Sequence, residues 1–398
     1  MAEHECRACR GQAGDLVLDL GEQPACDYFP EYDEPGPDPV YPLQMWLCSS
    51  CGLAQLLTDP TVPAEPRGAE PAALVAQAED AVRRVAAAGL LPVNGRVAEY
   101  GSPHGGSWLG LLASRGLSAV DGTGEADVIL DCFGMMHAAD QAAALGERVA
   151  RLAPGGVLLL QYHSLDTIVR LGQWNALRHG HYAYYSTTAL VAMLAVVGLS
   201  PRTSWSFDLY GGTVLLAARR DTDDGLTGPA SPDGTIRALL AAEQLTGITS
   251  PAVLRGLQSD VTAHASALHD WLSAMRDSGK TLLGYGAASR AVALLRAAGV
   301  DRDLLPAVAD ASPAKHGLRM PGTLIPVISP AGLRAGPPDA VVVFVPDLMA
   351  EVREAYPQVE AGGGRWVDAA ALRSDEVGQE YSQPGQAAAP GGADAADR

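Results

Sequence analysis

The residues most able to do chemistry gather in one stretch, Gln161 to Ser186, QYHSLDTIVRLGQWNALRHGHYAYYS. It holds His163, His179 and His181, three of the nine histidines of the chain, with Tyr162, Tyr182, Tyr184, Tyr185 and Trp174. Histidine changes charge near neutral pH, so such a cluster could take up and release protons. The stretch follows LAPGGVLLLQ, which reads as a turn feeding a buried strand of an α/β sheet. Sheets of that kind place their active sites at the carboxyl ends of the strands. Histidines and tyrosines are also ordinary amphipathic fillers, and the stretch alone does not decide between the two readings.

A second constellation stands at the N-terminus. Cys6-Arg-Ala-Cys9 and Cys48-Ser-Ser-Cys51 supply four of the six cysteines. Each CxxC turn presents two thiolates, and two such turns complete a closed tetrahedral shell for a structural zinc. Gly52 follows the second pair, where a knuckle turn often needs a positive φ. A redox CxxC would more often sit singly beside a βαβ unit. Cys26 and Cys132 have no partner pattern and read as small buried or half-buried side chains.

The elements that must position these groups fill 398 residues, enough for two or three domains with separate cores. Hydrophobic residues make up 47% and charged residues 19%, the balance of a soluble globular protein. The formal charge of -18 would repel nucleic acid or an anionic membrane, while leaving room for one anionic metabolite in a local basic pocket. The opening MAEHECRACR lacks the apolar core of a signal peptide, and the runs VLLL and AVVVFVP are too short to span a bilayer. With the cysteine pattern, this suggests a reduced, cytoplasmic setting.

A Pro-rich connector leads into a helix in EPAALVAQAEDAVRRVAAAGLL that ends near Gly89. Val97 to Tyr100 reads as a strand, Gly101 to Gly106 as a glycine-rich turn, Ser107 to Ser114 as a helix, and Leu117 to Val120 as a second strand ending at Asp121. That order suits a nucleoside, with an acidic residue about 20 positions beyond the first strand to accept from ribose hydroxyls. After Asp121 the chain passes at once to a strand from Asp127 to Asp131, with no room for the helix and strand that an α/β unit would ordinarily insert. Helix, PGG turn and strand follow, then a helix from Ala189 to Gly198 and the strand pair SWSFDLYGGTVLLAAR, with Gly211-Gly212 at a tight turn. Residues 221–235 read as a polar linker. His264 and His269 lie on the helices beyond it and read as solvated positions, not a metal site. KTLLGYGAASRAVALL is a strand, loop and helix that offers backbone amides to an anion. Further strands end near Asp310, in DAVVVFVPD and after Gly362. Residues 375–398 are low in complexity and expected to be disordered.

Taken together, CRAC…CSSC, EYGSPHG, ADVILDCFGMMHAAD, PGGVLLLQYH, HGHYAYYS, YGGTVLL, GYGAASRA and DASPAKHGLRMPGTLIPV resemble the zinc-containing sugar C-methyltransferases of antibiotic deoxysugar pathways. The resemblance runs from the paired cysteines to about residue 370. It implies an α/β chain in three parts: a zinc module over 1–60, a truncated, Rossmann-like class I methyltransferase domain over 70–220, and a C-terminal Rossmann-like domain over 236–372. In that family a histidine removes the proton alpha to the C4 ketone of a nucleotide-linked sugar, and the enolate attacks the methyl group of S-adenosylmethionine. By position, His181 would be the base and His163 the second histidine, with Tyr182 and Tyr185 orienting the ligand. The resemblance implies S-adenosylmethionine contacts at Glu99, Gly101, Gly105, Asp121 and His137. It implies nucleotide-sugar contacts, with a thymidine diphosphate sugar as ligand, at Arg178, His179, Ser289, Arg290 and Lys315. It further implies a monomer or small homo-oligomer.

This chain departs from the family at telling places. Arg178 stands where the family has a tyrosine and Gly180 where it has a glutamate, so the carboxylate beside the base is gone. The tyrosine- and serine-rich segment after the zinc module is replaced by TVPAEPRGAEPAALV. Two other outcomes remain open: an epimerase, isomerase or dehydratase that keeps the base without the methyl donor, and a non-catalytic partner of another enzyme.

Overall fold

The computed structural model of the protein describes residues 4–34, 36–61, 70–102, 106–221 and 232–372. Gly105, the tail 375–398 and most of the linker 221–235 lie outside those residues.

Strands β1 (Gly14–Pro24), β2 (Val40–Cys48), β3 (Ala54–Leu56) and β8 (Ala183–Tyr184) form an antiparallel sheet in the order β1-β2-β3-β8. The first three belong to the zinc module. The fourth belongs to the histidine stretch and pairs Ala54 with Tyr184 and Gln55 with Ala183.

A second sheet is built from β4 (Arg96–Gly101), β5 (Ser118–Ala119), β6 (Ala126–Cys132), β7 (Leu152–His163), β9 (Leu199–Phe207) and β10 (Thr213–Arg220), in the order β5-β4-β6-β7-β10-β9. β4 to β7 are parallel, and β10 runs antiparallel to both neighbours. β6 and β7 are continuous apolar runs because helices cover both faces. Ile129, Leu158 and Leu160 pack toward the helices Gln141–Ala150 and Thr187–Val196, while Val128, Leu130, Val157 and Leu159 pack toward the helix Ala72–Ala87. The two sets alternate along each strand, as the period of two requires. Only residues 120–125 separate β5 from β6, so the sheet has no helix crossover there, as the sequence spacing requires.

The third sheet, β13-β12-β11-β14-β15, is wholly parallel: β11 (Leu282–Tyr285), β12 (Val308–Ala309), β13 (Val327–Ile328), β14 (Ala340–Val343) and β15 (Arg365–Asp368). The overall class is α/β.

The first and third sheets share a core. Leu18 and Met45 of the zinc module, Trp174 and Leu177 of the histidine stretch, and Trp271, Leu295 and Val342 of the C-terminal part are buried in one cluster. Arg319 and Asp38, both buried, close a bidentate ion pair at 2.6 and 2.7 Å that ties the β1–β2 connection to the C-terminal sheet.

Two sequence expectations change. His264 is only 2% exposed, with Nε2 2.7 Å from the Ala369 carbonyl, and His269 Nδ1 lies 2.8 Å from the Ala298 carbonyl. His264 is not solvated and His269 is half-buried, because the helix Gly256–Asp277 packs between the zinc-module sheet and the helix Ser289–Ala297. The helix Gly234–Thr246 follows the linker yet packs on β9. Its buried Glu243 accepts from the Thr187 and Thr188 amides at 2.5 and 2.7 Å, stabilising the start of the helix Thr187–Val196.

Candidate active site

The zinc module forms first from local turns. The Cys6 amide donates to the Gly11 carbonyl at 2.8 Å, and Gly52, at φ 73°, donates to the Cys48 carbonyl at 3.0 Å. The Cys6–Cys51 and Cys9–Cys48 sulfur pairs are each 3.6 Å apart, and all four sulfurs lie within 4.8 Å of one another. Sulfurs around a tetrahedral zinc with bonds of about 2.3 Å stand about 3.8 Å apart, so the cluster fits zinc and leaves no open position for chemistry.

A cleft of about 490 Å³ lies between the carboxyl ends of the second and third sheets. Each sheet reverses its strand order there, at β4 in the second and at β11 in the third, and ligands of open α/β sheets bind at such points. The histidine stretch crosses this cleft.

His181 lines it and is buried. Arg178 Nε donates to the His181 ring, 2.9 Å from Nε2 and 3.4 Å from Nδ1, the shorter contact being to Nε2. His137 meets it edge-on, the ring centroids 4.5 Å apart, and His137 Nδ1 donates to the Gly180 carbonyl at 2.9 Å. The Asp59 carboxylate accepts from the Gly180 amide at 2.6 Å. Gly180 sits at φ 79°, a conformation that a glutamate would adopt only under strain. Tyr185 donates to Gln141 Oε1, and the Tyr184 hydroxyl accepts from the Arg178 amide at 3.0 Å, so both tyrosines hold the loop in shape. Burial drives the hydroxyl pKa of each upward.

The floor toward the third sheet is basic. Arg178 Nη1 donates to Ser289 Oγ at the start of the helix Ser289–Ala297, beside Arg290. No ion pair within 4 Å joins Arg290 to a carboxylate among the described residues, although the Asp347 charge acts on it and favours its charged form. Its guanidinium stands 5.3 Å from the Tyr210 ring centre, and burial together with the neighbouring Arg178 charge lowers its pKa. Lys315 is buried and donates to the Ala287 carbonyl at 2.8 Å, while Asp310 accepts from the Ala287 amide at 2.7 Å. Three cations, Arg178, Arg290 and Lys315, and the start of a helix thus gather in one wall of the cleft beside the Asp310 carboxylate.

At the end of β7, burial pushes the His163 imidazole down to about 3, helped by the Arg290 charge, so it is neutral at physiological pH. Its Nε2 is buried without a hydrogen-bond partner. Tyr210 faces it with ring centroids 6.3 Å apart. Asp131, at the end of β6, is buried and paired with Arg148 at 2.5 Å; burial raises its carboxyl pKa against that pairing.

His163, His181, Tyr185, Arg178, Ser289, Arg290, Lys315 and His137 therefore come together in the cleft. Others stand elsewhere. His179 turns to the zinc module, its Nε2 3.3 Å from the Pro42 carbonyl, and burial lowers its pKa. Tyr182 lies under the Arg7 guanidinium at 4.7 Å. Both lie in the irregular loop before β8, outside the strand, where no period of two governs side-chain direction. Glu99 spends its carboxylate on Ser107 Oγ and the Trp108 amide at 2.5 and 2.6 Å, pinning the loop after β4. Gly101 ends β4 and pairs with Cys132, and Asp121 is exposed outside the cleft. Residue-level reading missed Phe133 and Tyr210, both lining the cleft. The signal for Tyr210 was the pair of glycines after it: a Cβ at Gly212 would meet Thr167 Oγ1 at 2.5 Å.

Residues 208–370 match the family described as "C-methyltransferase C-terminal domain", and residues 6–65 the family described as "Putative zinc binding domain". C-methyltransferase NovU of Streptomyces niveus is similar at 25% identity over 236 residues, 59% of this chain and 54% of that protein. The chain thus spans about half the length of this relative. Among solved structures, magnesium protoporphyrin IX methyltransferase (ChlM) from Synechocystis PCC 6803 with bound SAH is matched over 37% of this chain and 84% of that one, at 12% identity and a TM-score of 0.28. N-methyltransferase NodS from Bradyrhizobium japonicum WM9 is matched over 37% and 96%, at 15% identity and a TM-score of 0.26. The Cys₄ cluster joined to the cleft through β8 thus lies in the part that matches the zinc-binding domain, and residues 208–370 match the C-methyltransferase C-terminal domain, so the chain is similar to C-methyltransferases in both parts.

Proposed function

We propose that the protein is an S-adenosylmethionine-dependent C-methyltransferase acting on a nucleotide-linked 4-ketosugar, with a thymidine diphosphate deoxysugar of antibiotic biosynthesis as substrate. The observation that carries this reading is the placement of His181 between the two facing switch points, beside the basic wall of Arg178, Ser289 and Arg290. His181 Nε2 takes the proton alpha to the ketone, and the electrons of that C–H bond pass into the enolate. Bound S-adenosylmethionine supplies the methyl group, whose bonding pair to sulfur stays with the sulfur as the enolate carbon forms its new bond. Ser102, Phe133, Met135 and Gln161 line the side of the cleft that fits this cofactor, with aromatic faces suited to a cationic sulfonium. Tyr210, whose hydroxyl has no hydrogen-bond partner among the described residues, can donate to the enolate oxygen. Arg290 and the start of the helix Ser289–Ala297 hold the diphosphate. The cofactor sheet, the C-terminal sheet and the zinc module then correspond to residues 70–220, 236–372 and 1–60 of a cytoplasmic monomer or small homo-oligomer.

The test is transfer of a labelled methyl group to a panel of thymidine diphosphate 4-ketosugars, with calorimetry of S-adenosylmethionine binding. Methylated sugar that disappears with His181→Gln supports the reading; a folded protein that takes up no cofactor at millimolar concentration refutes it. One observation favours a second reading, proton transfer without methylation. β5 passes straight to β6 and Asp121 lies outside the cleft, so the adenine side has lost a wall. Deuterium wash-in from heavy water without added cofactor, giving epimerised rather than methylated product, would select it.

A further inference from the structure

Arg178 occupies two partners at once. Its Nε donates to the Nε2 lone pair that a base needs, and its Nη1 donates to Ser289 Oγ at the diphosphate wall. It is also close enough to Arg290 for the two charges to act on each other, and Asp347 offsets this only in part, since burial and the Arg178 charge still lower the Arg290 pKa. Neither guanidinium closes an ion pair with a carboxylate among the described residues, and a dianionic diphosphate would supply one. An arginine prefers a bidentate phosphate to a single neutral imidazole nitrogen, because charge-assisted bonds are roughly twice as strong. The backbone of Arg178 is fixed by the Tyr184 hydroxyl at 3.0 Å, so the swing is confined to the side chain.

We propose that Arg178 is a positioning residue that latches the base: without a nucleoside diphosphate it occupies His181 Nε2, and a bound diphosphate draws it to the phosphates and frees that nitrogen. Proton abstraction then waits for the correct ligand. This rests on the nucleotide-sugar reading above. The charged and titratable groups around His181 are His137 from the 3-10 turn at 135–137, Arg178 from its own loop, Asp59 from the end of the zinc module, His163 from β7, and Arg290 and Lys315 from the third sheet.

The experiment uses the full chain labelled with ¹⁵N-histidine, His181 being assigned through His181→Gln, and thymidine diphosphate as the probe. In the unmodified protein, thymidine diphosphate should bind by calorimetry and shift the His181 Nε2 resonance downfield, as a lone pair that loses its donor does. Arg178→Gln should start at the downfield position, show no further shift, and bind thymidine diphosphate about tenfold more weakly, a loss of about 1.4 kcal/mol. Arg178→Lys, which keeps the charge, guards against a folding effect and should bind with intermediate affinity. Binding without movement of the resonance, or unchanged affinity in Arg178→Gln, overturns the latch and leaves the nucleotide-sugar reading standing. No binding of thymidine diphosphate to the unmodified protein overturns both.

Discussion

Phe133 and Tyr210 both hold left-handed backbones, at φ 59° and 56°, with their rings 5.9 Å apart at the cleft. Bulky residues rarely adopt that conformation, and two such residues in contact at a ligand cleft mark a place where backbone strain serves the site. Tyr210→Phe keeps the ring against Phe133 and the Arg290 contact while removing the hydroxyl. Stability should change by about 0.5 kcal/mol or less. Proton exchange alpha to the ketone, read by deuterium wash-in, should fall at least tenfold; an unchanged rate would remove Tyr210 as the donor to the enolate.

Restoring the family's glutamate should harm the protein. Gly180 has φ 79°, and a Cβ there would stand 3.5 Å from Asp27 Oδ2. Gly180→Ala should cost about 1–2 kcal/mol from the left-handed backbone alone. Gly180→Glu should cost more, because it adds an anion beside Asp27 and Asp59, and should lower methyl transfer. Urea midpoints of the two variants measure this, and a stabilised Gly180→Glu would contradict it.

His163 gives a signed pH dependence. Its native pKa, pushed down to about 3, lies below the value of about 6.5 in an unfolded chain. The unfolded state therefore binds the proton first, and stability falls as pH drops from about 6.5 toward 3. His163→Asn should flatten the decline of the urea midpoint over that window relative to the unmodified protein. Parallel curves would show that the imidazole is not held neutral by its surroundings.

Stripping the metal should reach the cleft. Cys48→Ser, or a strong chelator under mild denaturant, should remove one zinc per chain by atomic absorption. It should also weaken thymidine diphosphate binding, because β3 pairs with β8 immediately after the Arg178–His181 loop. Retention of full affinity in the zinc-free protein would show that the loop holds itself.

Arg319→Met should destabilise by about 3–5 kcal/mol, since it leaves Asp38 buried without its partner. Asp38→Leu combined with Arg319→Met should recover much of the loss. Thermal unfolding of the single and double variants tests whether this pair fixes the zinc module to the C-terminal sheet.

Local patterns made much of this legible. The Cys6/Cys9 and Cys48/Cys51 spacing fixes a closed thiolate shell by turn geometry alone, and the run VLLLQYH reads as a buried strand with His163 at its carboxyl end. The short passage after Asp121 shows the missing crossover, because no helix fits in it. Long-range pairing was not legible. Nothing near Ala183-Tyr184 announces a strand partner in the zinc module, and that pairing turns His179 and Tyr182 away from the cleft. Glu99 has the spacing of a ligand contact, but its partners, Ser107 and Trp108, depend on how the loop closes. The burial of His264 likewise follows from which sheets sandwich its helix.

The β3–β8 ladder makes the parts of this protein that frame the cleft cross the order of the chain. Strands of residues 14–56 and the pair Ala183–Tyr184 are stitched into one sheet across more than a hundred intervening positions. A chimera that exchanged the central segment between relatives would therefore separate the His181 loop from its scaffold. A working graft would have to carry the cysteine turns and the histidine loop together, as a cassette discontinuous in sequence and continuous in space.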